Sequence, residues 1–235
     1  MTHSEALDLY KSKIKSYNEL LEYQRNIEIM EEYDTPTSPN LSLDEIPNDL
    51  LSDHQFALKC MHYDPLIFNF LNDNLKNDVE FICSVIERNP SILFDHFKKE
   101  FLTSNKFIQK INHHIRNSNG HYMKFTDQAS RRDKKLILSG LKTSEYAFKY
   151  ADSSVKSDYD FVISAAEVNG MILRFYWSNN MINLDLASND SDNFYLDRKL
   201  TLTALKSCSL ALKFIAPQFK KDEEIISASR IKKGI

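Results

Sequence analysis

The chain has 235 residues, of which 42% are hydrophobic and 27% charged, a composition typical of globular proteins that excludes a disordered or fibrous chain. Four glycines and six prolines are too few for the turns of a sheet-rich fold, and they leave no glycine-rich phosphate loop. The formal charge of -3 combines an acidic start with a basic middle: residues 1–52 contain 11 acidic and 4 basic side chains, and residues 98–135 contain 3 acidic and 10 basic.

The first predicted element is a long amphipathic helix within residues 1–34. Leu7, Tyr10 and Ile14 recur at the three- and four-residue spacing of a helix face. Residues 35–52 follow as a predicted linker, which holds three of the six prolines. The helix either covers the open end of the elements that follow or serves as a partner-binding arm.

Residues 53–235 are predicted to be built from a repeat of about 25 residues. An aspartate opens most copies; three residues later comes a large apolar residue, and seven residues later usually a small one. Turn residues such as Asn169 and Gly170 follow at eleven and twelve residues from the aspartate. Apolar positions on both sides of this turn predict two short amphipathic helices per copy. Repeats 1 to 7 begin near Asp53, Asp78, Ser104, Asp133, Asp158, Asp197 and Asp222.

The opening aspartates have a structural explanation. A carboxylate just before the first turn of a helix accepts backbone N–H bonds and interacts favourably with the helix dipole. We therefore predict helix caps at these positions rather than catalytic acids.

Two repeats are irregular. Repeat 3 has Ser104 as its cap and Phe107, Ile108 and Ile111 as its apolar face, but its second half fits the pattern poorly. Repeat 5 carries an insertion at about residues 178–195, which is predicted to project as a loop or small hairpin. Together, these features predict an all-α fold in which short helix-turn-helix repeats stack as a small α-solenoid beside the long N-terminal helix.

The repeat resembles a helical repeat family known as domain of unknown function 4116. The similarity is strongest in DYDFVISAAEVNGMILRFY from Asp158, followed by DKKLILSGLKTSEYAFKYA from Asp133 and DRKLTLTALKSCSLALKFIA from Asp197. It covers about three-quarters of the chain and implies no catalytic residues, because the family has none agreed. It also implies a bacterial, Legionella-like effector. The C-terminal KKDEEIISASRIKKGI resembles a type IV export signal, although its acidic residues also lie where repeat 7 places its cap.

Motifs for catalysis or metal binding are absent from the sequence, so no catalytic residue, metal ligand or cofactor is predicted. His113 and His114 are adjacent on a predicted helix, where their side chains diverge by about 100° instead of sharing a metal. Cys60, Cys83 and Cys208 are odd in number and far apart, which is unlike a disulfide framework and is expected of a protein in a reducing cytoplasm. Cys60 and Cys83 are predicted to be buried packing residues.

The strongest signal beyond the repeat is the basic segment 98–135, in which aromatic residues alternate with lysines and arginines. Such a segment is either a solvated face or a binding surface for phosphate groups. The second irregular region, around the insertion, contributes Tyr176 and Trp177. The predicted partner-binding residues are Lys106, Lys110, His113, His114, Arg116, Lys124, Arg131, Arg132, Tyr176 and Trp177.

Stacked repeats expose an extended surface that suits recognition of proteins. The first hypothesis is therefore a non-enzymatic protein-interaction module, which as an effector would bind a host protein. A second is a binder of RNA or phosphoinositides through residues 98–135, and a third is a small enzyme with its site at His113, His114 and His121 or at residues 178–195. Without an apolar run of about 18 residues or a secretory signal, the protein is expected in the cytoplasm of the producing cell, or in a host cell by a non-Sec route.

Overall fold

A computed structural model of the chain describes residues 1–28, 42–176 and 194–230, and all regular elements in these ranges are helices. This confirms the predicted all-α fold. The chain divides into two compact units, Met1–Phe101 and Leu102–Ile235. No helix in the described ranges has both the length and the apolarity needed to cross a lipid bilayer.

The first unit contains the long N-terminal helix and repeats 1 and 2. Helix α1 is His3–Glu28, α2 is His54–Tyr63 and α3 is Val79–Arg88. Shorter helices lie at Asn48–Leu51, Pro65–Phe70, Asp73–Asn77, Pro90–Ile92 and Leu93–His96, and Lys99–Thr103 spans the boundary between the units.

The second unit contains repeats 3 to 7. Its longer helices are α4 (Asn105–Asn117), α5 (Lys134–Leu141), α6 (Tyr159–Val168), α7 (Arg198–Ser207) and α8 (Glu223–Arg230), and each contacts the next in this order. Shorter helices lie at Gly120–Phe125, Gln128–Arg132, Tyr146–Lys149, Ser153–Lys156, Gly170–Ile172 with a helical continuation to residue 176, Phe194–Leu196, Ser209–Phe214 and Pro217–Lys221.

The first helix of each repeat starts at its predicted cap. The carboxylate of Asp53 accepts a hydrogen bond from the backbone N–H of Phe56 at 2.7 Å, and the hydroxyl of Ser104 does the same for Phe107 at 3.3 Å. Equivalent bonds, from the backbone N–H three residues later, are made by Asp78, Asp133, Asp158, Asp197 and Asp222. Because each cap satisfies a backbone donor that the helix leaves unpaired, it fixes where the repeat begins.

The residue three positions after each cap anchors the hydrophobic core. This position is apolar in all seven repeats, and its side chain is at most 4% exposed. Burial of one such side chain stabilises the fold by roughly 1.5–3 kcal/mol. The anchors are Phe56, Phe81, Phe107, Leu136, Phe161, Leu200 and Ile225.

Most repeats contain a third helix that the sequence pattern did not reveal. After the turn comes a middle helix, such as Pro65–Phe70, and then a separate helix of four or five residues, such as Asp73–Asn77. The third helix has its own cap: the side chains of Asn72, Asp127 and Asp152 each accept a backbone N–H. The prediction of two helices per repeat is therefore incomplete.

Repeat 3 is regular once a single insertion is recognised. Helix α4 has 13 residues, whereas α2, α3, α6 and α7 have 10 each. After this extra turn, Asn119 caps the middle helix Gly120–Phe125 through the N–H of His121, as Asn169 caps its own through Met171. The second half of repeat 3 fits the 25-residue spacing poorly because one extra helical turn of about four residues shifts its later positions, while their roles stay the same.

Helix α1 packs on repeat 1 through its N-terminal half. Ala6, Tyr10 and Ile14 are buried, and the hydroxyl of Tyr10 donates to the carbonyl of Asp64 at 3.0 Å and accepts the N–H of Ile67 at 3.1 Å. Burial of Tyr10 raises its pKa, which keeps this hydroxyl protonated and able to donate. This half of α1 therefore covers the first repeat.

Two glycines allow successive repeats of the second unit to approach backbone to backbone. A Cβ added to Gly170 would lie 2.0 Å from the carbonyl oxygen of Ala204, and one added to Gly120 would lie 2.2 Å from that of Gly140. Real Cβ atoms do not come this close to a backbone oxygen. A glycine at the turn and a small residue seven positions after the next cap are thus two halves of one contact.

The same contact includes a hydrogen bond between repeats. The N–H of Gly120 donates to the hydroxyl of Thr143 at 2.9 Å, and the N–H of Gly170 donates to that of Ser207 at 3.1 Å. Each buried N–H at the turn is satisfied by the following repeat, so neighbouring repeats are joined by polar as well as apolar contacts.

The cap carboxylates also connect successive repeats. In each of these aspartates, Oδ1 accepts a hydrogen bond from a backbone N–H of its own helix. The other oxygen, Oδ2, contacts the side chain of the residue that directly follows the cap of the preceding repeat. The pairs are His54 with Asp78 at 3.0 Å, Lys134 with Asp158, Tyr159 with Asp197 at 3.2 Å and Arg198 with Asp222 at 2.8 Å. Hydrogen bonds from Lys134 and from Arg198 hold the pKa of Asp158 and of Asp222 below the ordinary value.

Candidate partner-binding surface

The predicted binding residues of α4 lie on its outer face. Lys106, His113 and Arg116 are exposed, and Lys110 and His114 are partly buried, opposite a core face of buried apolar residues. The rings of His113 and His114 are 5.8 Å apart with their planes at 83°, and the described residues hold no group of three His, Cys, Asp or Glu side chains able to bind a metal. The lysines, His113 and Arg116 therefore share a basic helix face.

Other members of segment 98–135 take part in contacts between helices. Arg131 donates to the backbone carbonyl of Lys124 at 2.9 Å, and Arg132 pairs with Asp152 at 3.3 Å. In other repeats, a lysine makes the contact that Arg131 makes here: Lys76 donates to the carbonyl of Asn69, and Lys156 to that of Lys149. Arg131 and Arg132 accordingly have structural roles, which the sequence did not indicate.

The aromatic residue predicted at the insertion packs inside its unit. The ring of Tyr176 lies 5.8 Å from that of Phe148 and 5.6 Å from that of Phe194, and its hydroxyl donates to the carbonyl of Lys156 at 3.3 Å. Burial raises the pKa of Tyr176. Trp177 and insertion residues 178–193 lie outside the described residues.

The two cysteines that were predicted to be packing residues are placed as predicted. Cys60 and Cys83 are buried, and Cys208 is partly exposed at the turn after α7. Burial raises the pKa of Cys60 to about 12, so it remains a thiol at neutral pH and acts as a small packing residue. An open cavity of about 580 Å³ lies elsewhere, lined by residues of the 42–51 segment and by Phe70.

A second surface, which the sequence interpretation missed, is formed by the middle helices of repeats 3 to 6. These helices contact one another in chain order: Gly120–Phe125, Tyr146–Lys149, Gly170–Ile172 and Ser209–Phe214. In each of these repeats, a basic side chain follows four positions after the residue at or just before the start of the middle helix, which is Gly120, Glu145, Gly170 or Ser209. We call the exposed side of these four helices the middle-helix surface; its cations are Lys124, Lys149, Arg174 and Lys213.

Partly exposed rings lie between the first cations of this surface. His121 stacks on Tyr146 with ring centroids 4.4 Å apart and planes at 20°, and on Tyr150 at 5.7 Å and 12°. The ammonium of Lys149 lies 5.4 Å from the centroid of Tyr146 and 5.6 Å from that of Tyr150. Stacked rings with a cation over their faces form a flat, rigid platform.

The rings and cations continue into repeat 5. Phe175 packs against Tyr146 edge to face at 6.0 Å, and the guanidinium of Arg174 lies over both rings at 5.6 and 5.7 Å. Arg174 also pairs with Glu145 at 2.7 Å, which fixes its direction. In repeat 6 the same surface presents Leu210, whose side chain is 62% exposed.

The four cations outnumber Glu145, so the net charge of this surface is positive. Burial, followed by the nearby Lys124 and Lys149, lowers the pKa of His121, while Glu145 acts in the opposite direction. His121 is therefore mainly neutral at physiological pH and contributes a ring instead of a charge.

One signal for this surface was in the sequence: the cations recur once per repeat, at a spacing of 25 residues or more.

An all-helical repeat protein with a basic and aromatic face is the class that this fold and surface define. The family model described as Domain of unknown function (DUF4116) matches residues 53–102 and 133–176, which are repeats 1 and 2 and most of repeats 4 and 5. These two segments match the family that the resemblance predicted. Comparison with curated proteins and with solved structures found no match.

Proposed function

We propose that the chain is a non-enzymatic protein-interaction module that binds its partner through the middle-helix surface. The observation that carries this proposal is the recurrence of a basic side chain on four successive middle helices, with partly exposed rings beside it. Tyrosine, phenylalanine and arginine are enriched in protein interfaces.

The rigidity of the platform supports the same function. His121, Tyr146 and Tyr150 are stacked in advance, and Arg174 is held by Glu145. Because these side chains are already ordered, the surface itself would lose less conformational entropy on binding a partner than a mobile surface would. Exposed Leu210 adds an apolar contact at one end.

A second candidate function is binding of an anionic partner, RNA or a phosphoinositide, through the outer face of α4. Lys106, Lys110 and Arg116 share this face, which favours phosphate groups. Arg131 and Arg132 contribute less than the sequence suggested because they pair within the fold. Charge reversal of Lys106, Lys110 and Arg116 would then abolish capture of nucleic acid or lipid at low salt.

We further propose that the protein is an effector, made in a bacterial cytoplasm and delivered into a host cell by a non-Sec route. The family resemblance and the acidic C-terminal sequence support this proposal. Asp222 caps α8 and Glu224 pairs with Arg198 at 2.6 Å, so these acidic residues also have a structural role. A translocation reporter fused to the chain, with and without residues 231–235, tests delivery.

Site-specific photo-crosslinking tests the interaction module. A photoreactive residue at Leu210 lies on the middle-helix surface, and one at exposed Lys206 lies on the first helix of the same repeat as a matched control. In eukaryotic lysate at low salt, we expect a discrete protein adduct at Leu210 that is absent at Lys206. Identical adducts at both positions, or none at Leu210, would contradict the proposal.

A further inference from the structure

We infer that the middle-helix surface binds an extended, acidic segment of a partner protein, with one acidic side chain for each repeat that it crosses. This inference rests on the proposed function and names the chemistry of the partner. It comes from the spacing of the cations, the rings between them and the contrast with repeats 1 and 2.

The cations are spaced by the packing of the repeats. Lys124, Lys149, Arg174 and Lys213 occupy equivalent positions on four middle helices, each in contact with the next. Axes of packed helices are roughly 8–10 Å apart. The surface therefore presents one basic side chain about every 9 Å along the direction in which the repeats follow one another, and the one in repeat 5, Arg174, is also paired with Glu145.

A polyproline II segment has the matching period. It has three residues per turn and rises about 3.1 Å per residue, so side chains on one face recur about every 9 Å. A β-strand repeats its face about every 6.7 Å, which falls out of register with the cations. An α-helix matches only at every seventh residue, about 10.5 Å apart, with unmatched side chains between.

The rings favour the same partner. Segments in polyproline II conformation dock on aromatic surfaces, because their proline rings pack flat against aromatic faces. His121, Tyr146 and Tyr150 provide such faces between Lys124 and Lys149, and Phe175 continues them beside Arg174. Cations of this surface then select carboxylates over lysines or arginines in the partner.

Repeats 1 and 2 lack this arrangement. At the position of the four cations they carry Asn69 and Phe94. An acidic segment would thus engage the second unit only, and four cations limit the complementary stretch to about 12 residues, at three residues per turn.

Defined peptides test the inference on the full chain. The probes are three fluorescent 12-residue peptides: four Glu-Pro-Pro triplets, the same composition with its four glutamates adjacent, and four Lys-Pro-Pro triplets. We expect fluorescence anisotropy to show the first peptide binding about tenfold more tightly than the second, with no binding of the third. A 12-nucleotide oligouridine is included as a phosphate polyanion.

Charge-matched variants locate the binding. Lys149→Glu with Lys213→Glu reverses two surface cations, and we expect it to weaken the periodic peptide at least about tenfold. The control reverses two exposed lysines at the ends of first helices, Lys142→Glu with Lys206→Glu, and should change binding less than about twofold. Circular dichroism and the Lys149→Gln, Lys213→Gln pair, which should weaken binding to a lesser degree, exclude unfolding as the cause.

Several results would overturn the inference. Equal binding of the periodic and clustered peptides, equal loss in both variant pairs, or no binding at about 1 mM peptide would each do so. Tighter binding of oligouridine would replace the acidic peptide by a nucleic acid. If the peptides fail while Leu210 still crosslinks a protein, only this inference falls; if the crosslink also fails, the proposed function falls with it.

Discussion

Repeats 1 and 2 and repeats 3 to 6 share the same capped first helix but differ in the turn and the middle helix. At the start of the middle helix, repeats 1 and 2 have Pro65 and Pro90, whereas repeats 3 and 5 have Gly120 and Gly170. The residue seven positions after the cap of the next repeat changes in parallel. In the repeats that follow the two prolines this residue is Val85 or Ile111, and in the repeats that follow the two glycines it is Gly140 or Ala204.

This comparison shows that the cap bond does not depend on which residues form the turn contact between repeats. The cap bond is the same in both groups, so the first helix forms in either setting. A glycine at the turn is required only where the next repeat brings a backbone carbonyl oxygen into the space that a Cβ would occupy, as Ala204 does at Gly170. The two groups also differ in surface charge, with four cations in one and Asn69 and Phe94 in the other.

The largest effect is expected from Gly170→Ala. The added methyl group would lie 2.0 Å from the carbonyl oxygen of Ala204, so repeats 5 and 6 must move apart. We expect the free energy of unfolding to fall by about 3 kcal/mol, measured by chemical denaturation. Pro65→Ala at the equivalent, exposed position of repeat 1 is the control and should cost less than about 1 kcal/mol. Equal losses at both positions would show that the contrast between the groups has no energetic meaning.

The next largest effect is expected at the contact between α1 and repeat 1. Tyr10→Phe removes the hydroxyl that serves both Asp64 and Ile67 and leaves the buried N–H of Ile67 without this acceptor. We expect a loss of about 2 kcal/mol in the free energy of unfolding. Tyr17→Phe in the same helix is the control and should be neutral. A neutral Tyr10→Phe would mean that α1 is held by apolar contacts alone.

Cap removal should affect both groups of repeats alike. Asp53→Ala in repeat 1 and Asp133→Ala in repeat 4 each delete a carboxylate that accepts a backbone N–H. We expect each to lower the free energy of unfolding by about 1 kcal/mol. Asp→Asn at the same sites, which keeps an acceptor oxygen, should retain most of the stability. A difference above about 1 kcal/mol between Asp53→Ala and Asp133→Ala would break the equivalence of the repeats.

The smallest effect appears only in acid. The hydroxyl and N–H of Ser154 lower the pKa of Asp152 from 3.8 to about 2. The unfolded chain therefore takes up a proton there first, and the stability that this carboxylate contributes is complete above pH 4 and is lost as the pH falls toward 2.

Repeat 1 provides the natural comparison, because it has neutral Asn72 at this cap. Asp152→Asn should flatten the decline of unfolding free energy between about pH 4 and 2, and Asn72→Asp should steepen it. Parallel pH profiles for the wild type and Asp152→Asn would contradict the assignment.

The caps could be predicted from sequence, whereas the third helices and the middle-helix surface were missed. An aspartate followed three residues later by a buried apolar side chain is a local signal, and Asp158 with Phe161 carries all of it. A helix of four or five residues, such as Ser153–Lys156, is much shorter than the window of roughly 11–18 residues in which a hydrophobic period can be recognised.

The surface was missed for a different reason. Clustering of charge along the chain drew attention to residues 98–135, where Arg131 and Arg132 pair within the fold. Lys149 and Lys213 lie outside that segment and reach the same face as Lys124 only because the repeats pack in order. Charges one repeat apart are neighbours in space, and this proximity is visible only when the repeats are aligned with each other.

Cap carboxylates that bond to two repeats at once affect the cooperativity of unfolding. Asp158, Asp197 and Asp222 stabilise their own helix through Oδ1 and bind the preceding repeat through Oδ2. In a nearest-neighbour description, the intrinsic and coupling energies of a repeat then share one group and cannot be varied separately. If the first helix of one repeat unfolds, its cap carboxylate also loses the bond from the side chain of the preceding repeat. Unfolding would therefore spread toward the N-terminus, one repeat at a time.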